Sequence, residues 1–123
     1  MLSSYDAASV TELPKDHLNW LRNLPTHFDD GLRFFVHAGI RPGVPLDRQT
    51  RDDMLWIREP FLSWTGDFGK LIVHGHSPTE SRRPDVRFNR INVDTGCVFF
   101  DGTLTAAVFT DAMAKAIDFI DSR

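Results

Sequence analysis

Two short apolar runs, LRFFVH at residues 32–37 and GKLIVH at residues 69–74, each close on a histidine and pass at once into small residues and a loop. Runs this short, rich in β-branched and aromatic residues and bounded by glycine, read as buried strands. Loops at strand ends can converge on one point while the sheet holds them rigid, which is where α/β architectures place their chemistry. The feature predicts a mixed α/β (α+β) chain with its candidate site at the ends of these two strands.

The rest of the pattern fits around them. Pro14 opens a helical segment, KDHLNWLRNL, that Pro25 stops. Residues 46–57 carry a weaker helical spacing, and Pro60 biases Glu59 away from helix, so this segment ends near Arg58. Strand-like segments follow at 86–93 and 104–109, with Gly96 and the hairpin signal Asp101-Gly102 between them. A final amphipathic helix is predicted from Thr110 as N-cap, with Met113, Ile117 and Ile120 on one side and an Asp111–Lys115 pair outside. No repeat or linker divides the chain, so residues 1–123 read as one domain.

Composition narrows the partners. Apolar and charged fractions of 41% and 25% are those of an ordinary globular protein, and a net charge of −3 argues against nucleic acid or an anionic membrane held by bulk electrostatics. The single cysteine, Cys97, cannot form an internal disulfide and is expected to pack in the core. No signal-peptide pattern opens the chain, and no run approaches the ~20 apolar residues of a membrane span. A cytoplasmic location is expected.

Few residues can carry chemistry. His37, in Val36-His37-Ala38-Gly39, is either a metal ligand or a histidine satisfied by a backbone carbonyl. In Val73-His74-Gly75-His76-Ser77-Pro78, Gly75 ends the strand, so His74 reads as packed and His76 as the better ligand candidate. Arg58 can aim its guanidinium fork at two phosphate oxygens, or simply pair with Glu59 or Asp53. Asp94, in Asp94-Thr95-Gly96, either orients a ligating histidine or caps a turn. Arg82 and Arg83 read as a solvated loop, and His17 and His27 as exposed. No nucleophile elbow, Walker loop, HExxH or CxxC pair competes.

Taken in order, FFVHAGIRPGVPL, Gln49, LWIRE, IVHGHSP, NRINVDTG and LTAAV resemble the calcineurin-like metallophosphoesterases, nearest the phage-type and bacterial serine/threonine protein phosphatases. The resemblance implies a sandwich of two mixed sheets flanked by helices, of which this chain is the C-terminal half. It implies two divalent metals (Mn, Fe or Zn), with His37 and His76 ligating the same one and Arg58 gripping the phosphoryl group. Its substrates would be phosphorylated protein or a small phosphoester. Pro78 stands where some relatives carry a further histidine ligand, which favours the protein-phosphatase branch, and the W-x-R-E element followed by Phe61 favours it over a bis-nucleoside tetraphosphate hydrolase.

The family's earlier motifs, G-D-x-H-G, G-D-x-x-D-R-G and G-N-H-E, do not occur in this sequence. Gly66-Asp67 is followed by Phe68-Gly69, and there is no Gly-Asn. The chain is therefore expected to supply ligands for only one metal, to be a truncated or partial domain, and to lack appreciable phosphatase activity. An uncovered sheet face is expected to promote self-association. A non-catalytic remnant acting as a binding module is the alternative of a different class.

Overall fold

The computed structural model describes residues 2–99 and 101–123. Two short 3-10 turns lead to helix α1 (Lys15–Arg22), which ends before Pro25. The central sheet has five strands in the order β1-β2-β3-β5-β4: β1 (His27–Asp29), β2 (Arg33–Val36), β3 (Leu71–His74), β4 (Asp85–Val86) and β5 (Arg90–Asn92). β2, β3 and β5 run parallel, and β1 and β4 are antiparallel edges. The fold is mixed α/β, as the sequence predicts.

Cross-strand partners share a face, so the register sorts the side chains. Phe34, Ile72 and Arg90 form one row, and Phe35, Val73 and Ile91 form a row on the opposite face. The first face is the core side. Phe34 and Ile72 pack there with Val36, Ala38, Ile40, Met54, Ile57 and Phe61. Met54 comes from helix α2 (Arg51–Trp56), whose N-cap is Thr50. The opposite face is only partly covered: Phe28 is 62% exposed there.

Several predicted elements need correction. The helix expected at 46–57 is a 3-10 turn (Leu46–Arg48) followed by α2, because Gln49 is extended and Thr50 starts a new helix by accepting from the Asp53 N–H. Residues 86–93 form a tight β4–β5 hairpin instead of one strand. The Arg87 N–H bonds the Arg90 carbonyl, while Asn89 turns inward to donate to the Trp64 and Gly66 carbonyls. Cys97 is exposed, not core, since it lies in a loop of successive turns, with bonds from Phe99 N–H to Gly96 O and from Gly102 N–H to Phe99 O. Asp101-Gly102 belongs to that loop and forms no two-residue hairpin.

The largest correction is at the C-terminus. The predicted helix from Thr110 is a strand, β7 (Met113–Asp121), antiparallel to β6 (Thr105–Thr110) in a separate two-stranded sheet. Asp111 and Lys115 therefore make no helical pair. The deciding partner is far away in sequence. Arg33, 3% exposed, binds the Asp30 carboxylate at 2.6 Å and donates through Nη1 to the Thr110 and Met113 carbonyls at 3.0 and 2.8 Å. Its guanidinium also lies over the Phe109 ring, 4.6 Å from the centroid. A buried guanidinium with four partners fixes the hairpin tip to β2.

Arg33→Met removes those bonds and leaves two turn carbonyls without their donor, an expected loss of about 2–4 kcal/mol. Urea unfolding reads the loss. Amide exchange should show residues 105–121 opening before the central sheet; uniform protection across both would count against the clamp.

Candidate functional site

Parallel pairing of β2 and β3 sends both chains off the same end of the sheet. His37 is the first residue past β2, and His74 is the last of β3. The two exits are joined directly, since the Gly75 N–H donates to the His37 carbonyl at 2.9 Å. A second bond, from Ala38 N–H to Met54 O at 2.8 Å, brings the end of α2 to the same place. Gln49 organises the loop beyond, bonding Arg41 on both sides of its backbone and the Val44 carbonyl.

His76 is presented by an unusual turn. Its φ is +67°, in the left-handed region, and the Ser77 N–H closes back onto the Gly75 carbonyl at 2.8 Å. A bond from residue i+2 to residue i around a central residue of positive φ is a γ-turn of the rare, strained hand. A non-glycine residue there costs about 1–3 kcal/mol, and such strain gathers at functional sites.

The turn brings the predicted residues together. The His37 and His76 ring centres are 5.0 Å apart. Imidazoles sharing one zinc, at about 2.0–2.1 Å per bond and a tetrahedral angle, have ring centres about 5 Å apart, so the spacing suits a shared ion. Trp56 sets its ring edge-on to His76 at 5.8 Å. Burial pushes the His76 pKa down, and the His37 ring and the Arg58 guanidinium push it further. That places Arg58 within electrostatic reach and favours the neutral imidazole a metal needs.

Arg58 is free of the surface partners the sequence offered it. Asp53 is taken by Arg41 in a two-pronged pair at 2.7–2.8 Å, and Glu59 accepts from both the backbone and the hydroxyl of Ser63. Among the described residues no salt bridge engages Arg58. Asp94 caps a turn through Gly96 N–H to Oδ1 at 3.0 Å, and its negative charge also acts on His76. Arg82 turns to Asp101 and Phe99, away from this cluster, and His17 and His27 are exposed.

In the layer beneath, His74 is packed as the sequence predicts, and the residue that sequence reasoning missed is its partner Arg90. His74 is 2% exposed and Arg90 is 2% exposed, side by side on the core face. His74 Nδ1 meets the Gly75 carbonyl at 3.1 Å and Nε2 meets Arg90 Nη1 at 3.3 Å. A carbonyl only accepts and a guanidinium only donates, so the ring is neutral with its proton on Nδ1. The available signal was Arg90 itself, a charge at an inward position of the run VRFNRINV.

Among the described residues, no three His, Cys, Asp or Glu side chains gather where they could hold an ion. The donor set therefore fits part of a metal shell, two imidazoles, and the remaining positions need ligands from elsewhere. A groove of about 690 Å³ runs from His37 between α1 and the partly covered sheet face, past Leu24, Phe28, Phe35 and Val73. No helix among the described residues is long and apolar enough to cross a membrane. Compared with known protein families and with curated proteins, the chain matches none.

Two measurements follow from these environments. Arg58→Ala removes a positive neighbour, so the His76 pKa should rise in an NMR titration; an unchanged value would place the guanidinium away from the ring. Burial holds His74 down to about 4 against an ordinary 6.5. The unfolded chain then binds a proton that the folded chain refuses, so stability is full above about 6.5 and falls toward pH 4, by up to about 1.4 kcal/mol per pH unit. Denaturant titrations at several pH values should show this slope, and His74→Asn should reduce it.

Proposed function

We propose that this chain carries the histidine-bearing half of a two-metal phosphoesterase site of the serine/threonine protein phosphatase type. The observation that most supports it is the imidazole pair, 5.0 Å between ring centres, beside an arginine with no carboxylate partner among the described residues. His37 and His76 would hold one divalent cation, Mn, Fe or Zn, through neutral ring nitrogens. A bound cation of this kind supplies Lewis acidity and lowers the pKa of a water toward neutrality.

The chain's own residues have narrower tasks. The γ-turn orients His76, and burial, with the His37 ring and the Arg58 guanidinium adding to it, lowers its pKa and so favours the neutral ring. Arg58 binds two oxygens of the phosphoryl group and offsets the charge that develops on them. Phosphoserine or phosphothreonine in a protein, or a small phosphoester, is the substrate class. The five-stranded sheet with one partly covered face, plus a two-stranded hairpin, accords with one half of a sandwich.

Ligands for a second metal, a second phosphate-binding arginine and a general acid would have to come from sequence outside these motifs. A bis-nucleoside tetraphosphate hydrolase shares the fold, but the Trp56-Ile57-Arg58-Glu59 element followed by Phe61 tilts toward the protein phosphatases. One observation favours a non-catalytic binding module instead: no third ligand joins the imidazoles among the described residues.

Zinc titration by calorimetry decides between these. Weak binding that disappears in both His37→Ala and His76→Ala is expected, with no turnover of an aryl phosphate in manganese. Zinc binding indifferent to both substitutions would leave only the binding module. Turnover lost in His76→Ala would mean that the site is more complete than proposed.

A further inference from the structure

We infer that Arg90 is a positioning residue for His76, acting through the proton on His74 to hold the strained turn on which His76 sits. This rests on the proposed metal-binding role of His76 for its consequence, though not for its geometry. Every link is a hydrogen bond between buried or half-buried groups. Arg90 Nη2 is anchored by Asp85 Oδ2 and the Leu62 carbonyl, both at 3.0 Å, and its Nη1 donates to His74 Nε2 at 3.3 Å. With Nε2 so occupied, the His74 proton must sit on Nδ1, where it meets the Gly75 carbonyl at 3.1 Å.

That carbonyl is the same atom that closes the γ-turn, accepting from the Ser77 N–H at 2.8 Å. Two donors therefore converge on one oxygen and fix the peptide plane just before His76. The neighbouring Gly75 N–H is equally committed, to His37 O at 2.9 Å. A left-handed non-glycine residue persists only where its surroundings over-determine it. Here the over-determination traces back to a guanidinium on β5, one strand away from the turn.

Packing alone does not account for Arg90. Phe61 lies edge-on to His74 at 4.8 Å and already fills the core beside it. An apolar side chain in place of Arg90 would fill similar volume without the desolvation cost of a buried cation. What it could not do is choose the His74 tautomer.

Four proteins test this: wild type, Arg90→Met, His74→Asn, and the double variant. Asparagine keeps an N–H donor near the Nδ1 position and needs no partner to orient a proton. Two readouts are taken for each, the His76 backbone φ from NMR couplings and the zinc affinity from calorimetry. Arg90→Met should release His76 from positive φ and weaken zinc about tenfold, the usual scale for losing a group behind a ligand. His74→Asn and the double variant should keep the turn and bind zinc within about threefold of wild type, since either carries its own donor.

If Arg90→Met lowers stability but leaves φ at His76 unchanged, Arg90 is only structural. If the double variant behaves like Arg90→Met, the effect does not run through His74. A wild type that binds no zinc through its histidines would sink the metal reading, while the φ measurements would still decide the role of Arg90.

Discussion

The molecule is organised by the parallel register of β2 against β3. That register puts Phe34 and Ile72 in one row on the core face, and it delivers the chain after each strand to the same edge of the sheet. Side chains alternate along a strand, so a slip of one residue in either strand would turn that strand's apolar side chain out of the core. It would also part the Gly75 N–H from the His37 carbonyl. Burial and site geometry are thus set by the same backbone bonds.

Two buried arginines do the long-range joining, one on each face of the sheet. Arg33 ties the β6–β7 hairpin to β2, and Arg90 ties β4, the segment after Phe61 and the end of β3 together. Removing a charge from water costs several kcal/mol, and it is offset only when the donors are well used. Arg33 engages a carboxylate, two carbonyls and a ring; Arg90 engages a carboxylate, a carbonyl and an imidazole. In the hairpin, the Arg33 bonds add to an edge-on contact between the Phe35 and Phe109 rings, 5.7 Å between centres.

Much of the central sheet was legible, because LRFFVH and GKLIVH declare themselves through local composition. Both histidine-bearing ends were legible for the same reason. Spacing alone could not pair His37 with His76; the family resemblance pointed to that pair, and the tight turn at Gly75 brings the rings near each other. The C-terminal strand was misread because Met113, Ile117 and Ile120 fit a helical period, while the donor that stabilises the hairpin tip, Arg33, lies 77 and 80 residues before its two acceptors. Arg90 was overlooked on similar grounds: its meaning depends on His74, which is a neighbour only once β3 and β5 pair.

Gly39 carries a consequence of its own. A methyl group there would sit 2.2 Å from the Phe61 ring, which is fully buried and also touches His74. Any side chain at 39 meets that ring, and the Gly39 φ of +154° strains a non-glycine residue there whatever stands at 61. Among sequences sharing this architecture, position 39 should therefore stay glycine even where residue 61 is smaller than phenylalanine, a constraint recognisable without any measurement of activity.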